Sequence, residues 1–236
     1  MSLPGDDATA GRALPLAGIG WAGPFPPSRP STYMELRHAS SGRLALIVVP
    51  DRRFLAIRGA GPRTAADFQL ATTILRATAI VLRARVARDR FDTGRIGVLE
   101  CLWWHPAALP PDEIQQSFDD RSTWQWQQMI AVPATASDDD AVDAIHESRR
   151  RAGRAVELVR LVELREGPSA QILHIGGSAS EGASVVTLLD AIAAAGFRPD
   201  GAFHELLVAD ERDVLLGRAR TILRVPVVPA QALPST

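Results

Sequence analysis

Two glutamates stand inside apolar, strand-like runs: Glu100 in Val98-Leu99-Glu100-Cys101-Leu102 and Glu205 in Phe203-His204-Glu205-Leu206-Leu207. A lone buried carboxylate is costly, so each is partnered, protonated or facing a cavity, unless it simply alternates to the solvent side of its strand. In an apolar cavity desolvation raises a carboxyl pKa, which suits a general acid or base working near neutral pH. Four of the five tryptophans, Trp103, Trp104, Trp124 and Trp126, crowd the same part of the chain as Glu100. On adjacent strands, alternate members share a face and can wall a flat slot for a planar or cationic ligand. Each stacked pair adds roughly 0.5–1.5 kcal/mol beyond area burial. Ordinary core packing accounts for any one of them taken singly.

Other chemistry is weaker or excluded. Cys101, His105, His174 and His204 match no metal-ligand spacing, so neither metal nor cofactor is expected. Ser178 and Ser180 lie near His174, but Gly-x-Ser-x-Gly is absent, and Ser178 reads as a helix cap. Gly176-Gly177 before a helix is a weak anion cradle. The chain contains no lysine, which excludes Schiff-base and P-loop chemistry.

The elements that must position these residues follow from periodicity. Leu44–Val49 and Phe54–Arg58 read as strands about the Pro50-Asp51 turn. Thr64 and Asp67 have capping-box spacing, and Phe68, Thr72, Leu75, Ala79, Leu82 and Val86 continue a helix. A strand over Ile96–Trp104 follows, then a Pro-rich loop. Thr123–Val132 alternates, with Trp124, Trp126, Gln128 and Ile130 on one face. Ser137 and Asp140 cap a polar helix that ends in the solvated Arg149, Arg150 and Arg151. Val156–Leu164 and Ala170–Ile175 read as a hairpin about Glu166-Gly167-Pro168. Ser178 and Glu181 form another capping box, opening a helix stopped by Gly196. Phe203–Val208 and Thr221–Val227 close the chain as strands.

The two halves rhyme, each running strand, glycine turn, helix, then a strand holding a glutamate. The expected fold is therefore α+β: two pseudo-twofold-related strand-helix-strand-strand repeats around a central ligand groove, with both glutamates turned toward it. A Pro/Gly/Ala-rich arm over 1–30 precedes the domain at 31–229, and a short tail covers 230–236.

At 236 residues and 46% apolar, the chain can bury a proper core, and a net charge of −1 gives no global attraction to nucleic acid or an anionic membrane. One cysteine rules out an internal disulfide framework. No apolar run reaches the length of a membrane span, and Asp6 and Asp7 stand where a signal peptide wants basic residues. These features point to a cytoplasmic protein; its oligomeric state is not legible.

As a set, Phe54–Gly61, Leu99–Trp104, Trp124–Ile130, Leu173–Gly176, His204-Glu205 and Thr221–Pro226 resemble the motifs of GyrI-like small-molecule-binding proteins, in the same order. The likeness spans residues 33 to 228. It implies a SOUL-type architecture and a hydrophobic or aromatic small molecule as partner. The paired tryptophans and the His-Glu motif resemble the stand-alone branch that hydrolyses cyclopropanoid genotoxins of the yatakemycin and duocarmycin type, giving self-protection. Other relatives bind or sense drugs without turnover, which is the alternative. The resemblance implies Glu205 and Glu100 as the catalytic pair, with Trp103, Trp104, Trp124, Trp126, His174 and His204 about the ligand. Two tyrosines common in the family are replaced here by Ser178 and Leu207.

Overall fold

The computed structural model describes residues 36, 39–41, 43–90, 97–109, 111–152, 158–208 and 219–230. The expected arm over 1–30, and all but the first residue of the tail over 230–236, lie outside these residues.

Among the described residues nine strands form one sheet: β1 (Ala45–Val49), β2 (Arg52–Ala60), β3 (Leu99–Trp104), β4 (Gln125–Ala131), β5 (Arg160–Leu164), β6 (Gly167–Ile175), β7 (Phe197–Pro199), β8 (Phe203–Leu207) and β9 (Arg220–Pro229). The spatial order is β1-β6-β9-β8-β3-β4-β2-β5, with β7 added beside β9, and every pairing of these strands is antiparallel. Helices α1 (Ala66–Arg90), α2 (Pro111–Asp120), α3 (Asp138–Ala152) and α4 (Glu181–Ala194) complete the α+β fold. α1 packs on β2 and β4 and against α3; α4 packs on β6, β7 and β9 and against α2.

The order is symmetric about the central β3–β8 ladder: β2, β4 and β3 on one side answer β6, β9 and β8 on the other. This is the expected pair of strand-helix-strand-strand repeats. The ladder register nevertheless overturns the expected convergence of the glutamates. Cys101 lies opposite Glu205, and Glu100 lies opposite Leu206. Directly opposed residues project to the same face, and neighbours along a strand to opposite faces. Glu205 therefore faces the helices with Cys101 and Trp103, while Glu100 faces the other side with His204. One step of register separates the two carboxylates by the thickness of the sheet.

The expected hairpin of β5 and β6 does not form. β5 pairs with β2, whereas β6 pairs with β1 and β9 near the opposite end of the path. Two-residue links, Pro50-Asp51 and Arg165-Glu166, nonetheless join β1 to β2 and β5 to β6. Such links span at most about 10 Å, so the ends of the sheet must curl toward each other. Glu166, in one link, reaches His204 and Arg224, which places the curl around the face opposite the helices. The sheet thus has a helix-covered face and an inner face.

The main core lies under the helices, where Leu55, Ile57, Phe68, Leu75, Trp103, Trp126, Ile130, Leu188 and Leu223 are buried together. A smaller cluster of Phe54, Ala56, Leu102, Met129 and Leu164 fills part of the inner face. With both faces covered, β2 shows the uninterrupted buried run Phe54–Ile57 rather than clean alternation. Gln128, buried on the helix side, donates to the Phe68 carbonyl at 2.8 Å and accepts from the Thr72 hydroxyl at 2.9 Å, tying α1 to the sheet. Ser137 and Asp140 do cap α3 reciprocally: the Ser137 N–H donates to Asp140 at 2.7 Å and the Asp140 N–H to Ser137 at 3.1 Å.

Candidate functional site

The chemistry on the helix side centres on Glu205. Its Oε1 accepts from Arg121 Nη2 at 2.6 Å and its Oε2 from the Trp103 indole N–H at 2.6 Å; Arg63 also pairs with Oε2. The same Arg121 nitrogen lies 2.6 Å from Glu181 Oε2. Two carboxyls and two guanidiniums thus meet beneath the helices. Arg63 keeps 17% of its side chain exposed, whereas Arg121, Glu181 and Glu205 keep at most 2%. Arg63 is therefore the member that opens to solvent.

Burial pushes the Glu181 carboxyl up, the neighbouring Glu205 charge adds to it, and the two arginines offset only part, leaving it at about 7. Burial acts on Glu205 in the same direction, but Arg121 and Arg63, with hydrogen bonds from Glu181 and Trp103, hold it below the usual carboxylate range. One carboxyl stays ionised while its neighbour carries a proton up to neutral pH. This is the division of labour that acid–base chemistry needs.

Local structure explains how these groups meet. Arg121 ends α2 with φ +54°, the left-handed conformation that an L residue adopts at a cost of order 1 kcal/mol. Its N–H still closes the helix on the Ser117 carbonyl at 2.8 Å. The sharp reversal aims the guanidinium across Phe118, 4.1 Å from its ring centre, and Trp103, 4.7 Å away. Asp119 accepts from the Gly182 N–H at 2.7 Å, docking the end of α2 on the start of α4. Only glycine fits there, because a Cβ at 182 would stand 2.3 Å from the Gln115 carbonyl oxygen.

The expected aromatic residues divide between the faces. Trp103 stacks on Phe68 at 5.5 Å and 13°, and Trp126 meets Phe68 edge-on at 5.1 Å. Trp124 packs on Phe118 and Phe203 and donates to Ser117 at 2.9 Å. These three are buried against other side chains rather than walling an empty slot, and Trp103 is the one bonded to Glu205. Trp104 points to the inner face and donates to Gln125 at 2.7 Å. Gly59 makes room for Trp126, whose ring would stand 2.2 Å from a Cβ there.

His174, on the helix side, contacts Ser184 at 2.9 Å and the Gly177 carbonyl at 3.2 Å. His204 is on the inner face with Glu100, Nε2 to Oε2 3.1 Å, and with Glu166, Nδ1 to Oε1 2.9 Å. The two histidines are not brought to one site. Among the described residues no group of three or more His, Cys, Asp or Glu is placed to hold a metal.

Three members of the Glu205 cluster escaped the sequence reading. Glu181 was expected as a capping residue; instead a short 3₁₀ turn over Ser178–Ser180 precedes α4, and the Glu181 side chain turns to Arg121. Arg121 follows α2, a helix where a Pro-rich loop was expected. Arg63 lies in the turn before α1. The local signals for these three are ordinary, and only the tertiary fold makes them a cluster.

No family model matches the chain, and the search of curated proteins found no match. Solved structures do share its fold. A conserved protein from Listeria innocua superposes with TM-score 0.71 at 24% identity, covering 82% of this chain and 96% of its own. A hydrolase from the same organism gives TM-score 0.65 at 23%, covering 83% and 96%. The EcmrR C-terminal domain gives 0.52 at 11%, covering 79% and 98%. The α+β fold is thus consistent with the GyrI-like architecture expected from the motifs. No described helix is long and apolar enough to cross a membrane.

Proposed function

We propose that this chain binds a planar, hydrophobic small molecule at the Glu205 cluster and hydrolyses it, the substrate class being cyclopropanoids of the yatakemycin and duocarmycin type. The observation that carries the reading is the carboxyl pair on Arg121: an ionised Glu205 beside a Glu181 that titrates at about 7. A cyclopropane conjugated to a dienone needs a base for water and a proton donor at the carbonyl. Glu205 takes the water's proton as the oxygen bonds to the unhindered ring carbon. The cyclopropane C–C bond breaks, its electron pair passes to the carbonyl oxygen, and Glu181 protonates that oxygen as the ring becomes aromatic. Proton return from Glu205 to Glu181 resets the pair. Trp103 and Phe68 are buried against each other, so a substrate has to part them to stack there, and Arg63, the most exposed member of the cluster, marks the side from which it would enter.

This reading replaces Glu100 with Glu181 as the partner of Glu205, because Glu100 faces the other side of the sheet. The fold also serves a Listeria protein described as a hydrolase, though fold alone fixes no activity. The test is incubation with a duocarmycin-type drug, followed by mass spectrometry. A product heavier by one water is expected, with turnover falling by about 10²–10⁴ in Glu205→Gln while binding persists. Full turnover in that variant overturns the role of Glu205.

The second reading is binding without turnover, for sequestration or sensing. It is favoured by the way Arg63 and Arg121 already satisfy both carboxyls, as a closed, resting pocket would. Unchanged drug bound tightly is its signature.

A further inference from the structure

The inner face carries a separate cluster that the proposed hydrolysis does not use. Arg52, Glu100, His204, Glu166 and Arg224 follow one another as alternating charges. Arg52 Nη2 lies 3.3 Å from Glu100 Oε1, Glu100 Oε2 lies 3.1 Å from His204 Nε2, His204 Nδ1 lies 2.9 Å from Glu166 Oε1, and Glu166 Oε2 lies 3.4 Å from Arg224 Nη1. Glu100, His204, Glu166 and Arg224 are at most 2% exposed in their side chains, and Arg52 is 20% exposed. Both ring nitrogens of His204 face a carboxylate oxygen, the arrangement that suits an imidazolium, and although burial disfavours its charge, Glu166 and Glu100 outweigh that and raise its pKa.

This chain ends at a cavity of about 710 Å³. Glu100 and Arg52 supply its polar floor, and Leu36, Val98, Val132 and Leu206 supply apolar wall. The volume is that of a small-molecule site. Arg224 is closed off at the far end by Gln171, at 2.9 Å, and by the Leu36 carbonyl, at 2.6 Å. Arg52, at the cavity end, pairs with Glu100, which it shares with His204. Of the other charges on the cavity wall, Arg53 pairs with Asp138, while Asp51 and Glu163 share Arg165 at the exposed rim, where solvent screens them and leaves the buried row to set the charge of the floor.

Three cations therefore stand against two carboxylates in the row, and the surplus lies at Arg52. An added cation would meet Arg52 and His204, both already competing for Glu100. An added anion extends the alternation by one step and gives Arg52 a carboxylate of its own. We infer that the inner-face cavity is a second ligand site, which takes an amphipathic monocarboxylate with its head group on Arg52 and its apolar body against Val98, Val132 and Leu206. This site is independent of the Glu205 cluster, from which the sheet separates it.

Calorimetric titration of the full chain with decanoate, decanol and decyltrimethylammonium tests it. Decanoate should bind roughly tenfold or more tightly than decanol, the range of one charged hydrogen bond, and the cation weakest. Arg52→Gln should bring decanoate down to the level of decanol. Ala134→Trp, at an exposed position on the cavity wall, should abolish binding of both without touching the buried row. Glu205→Gln should leave decanoate binding unchanged, which keeps this result separate from the fate of the hydrolase reading. Equal or tighter binding of the cation, no binding of any probe, or decanoate binding lost in Glu205→Gln would each overturn the assignment. If Arg52→Gln does not fold, the ranking of the three probes and the effect of Ala134→Trp decide.

Discussion

The two faces of the sheet solve the same problem, a buried carboxylate, in different ways. On the helix side Glu205 meets a second carboxyl and two arginines, and burial with the neighbouring Glu205 charge pushes Glu181 up to about 7. On the inner face each carboxylate is flanked by cations, and burial is overcome so far that Glu166 stays ionised down to about pH 2. A row of alternating charges is built to persist; an acid pair sharing one arginine nitrogen is built to exchange a proton. The difference suits the helix side to the proposed proton chemistry and the inner face to a fixed charge pattern.

The largest break is Arg121→Ala. It leaves Glu181 and Glu205 buried without their shared donor, and removing one partner of a buried pair costs about 3–5 kcal/mol. Urea denaturation should show a loss of that size. A loss under about 1 kcal/mol would mean that water or Arg63 takes over, and that the acid pair is not held by Arg121.

Next in size is a pH dependence of opposite sign at Glu181 on the helix side and Glu166 on the inner face. Glu181 is raised from 4.5 to about 7, so the native state keeps a proton that the unfolded chain releases. Its contribution is fully present below pH 4.5 and is lost, by about 3 kcal/mol, as pH rises to 7. Glu166 is lowered from 4.5 to about 2, so its contribution is present above pH 4.5 and is lost, by a similar amount, as pH falls to 2. His204, raised by its two glutamates, adds a loss as pH climbs above 6.5. Glu181→Gln should flatten the stability curve between pH 4.5 and 7, and Glu166→Gln below 4.5. Denaturant midpoints across pH check both, and a single variant flattening both limbs would show that the faces titrate together.

The same contrast explains what the chain revealed in advance. Periodicity located the strands holding Glu100 and Glu205 and the helices between them, because each pattern is local. The repeat was legible for the same reason. The faces were not: equivalent-looking glutamates fall one register step apart in the β3–β8 ladder, and register is set by pairing across some hundred residues. The hairpin read about Glu166-Gly167-Pro168 failed likewise, since curling of the sheet gives β5 and β6 other partners. Arg121 and Glu181 were invisible as site residues because an arginine beyond a Pro-rich run and a glutamate at a helix start have ordinary local explanations.

A smaller effect separates backbone packing from charge on the helix side. Gly182→Ala places a Cβ 2.3 Å from the Gln115 carbonyl and 2.9 Å from Asp119, so α4 must move away from α2. Overpacking of this kind costs about 1–3 kcal/mol. Since the shift also moves Glu181 from Arg121, the pH 4.5–7 limb should change with it, while the limb below 4.5 stays. Thermal melts at pH 4, 6 and 8 read both.

The smallest effect uses Cys101 as a reporter of the helix side. Burial pushes its thiol well above 9, and the facing Glu205 charge adds to this, so the native protein should resist iodoacetamide at pH 8.5 while the urea-unfolded chain reacts. Glu205→Gln removes that repulsion and should speed native labelling a few-fold, on the order expected for losing one screened charge. Glu166→Gln, across the sheet, should leave the rate unchanged. Mass spectrometry of alkylated protein measures it. An equal acceleration in both variants would mean that opening of the whole fold, rather than the charge beside Cys101, limits the reaction, and the two faces would then be one electrostatic unit.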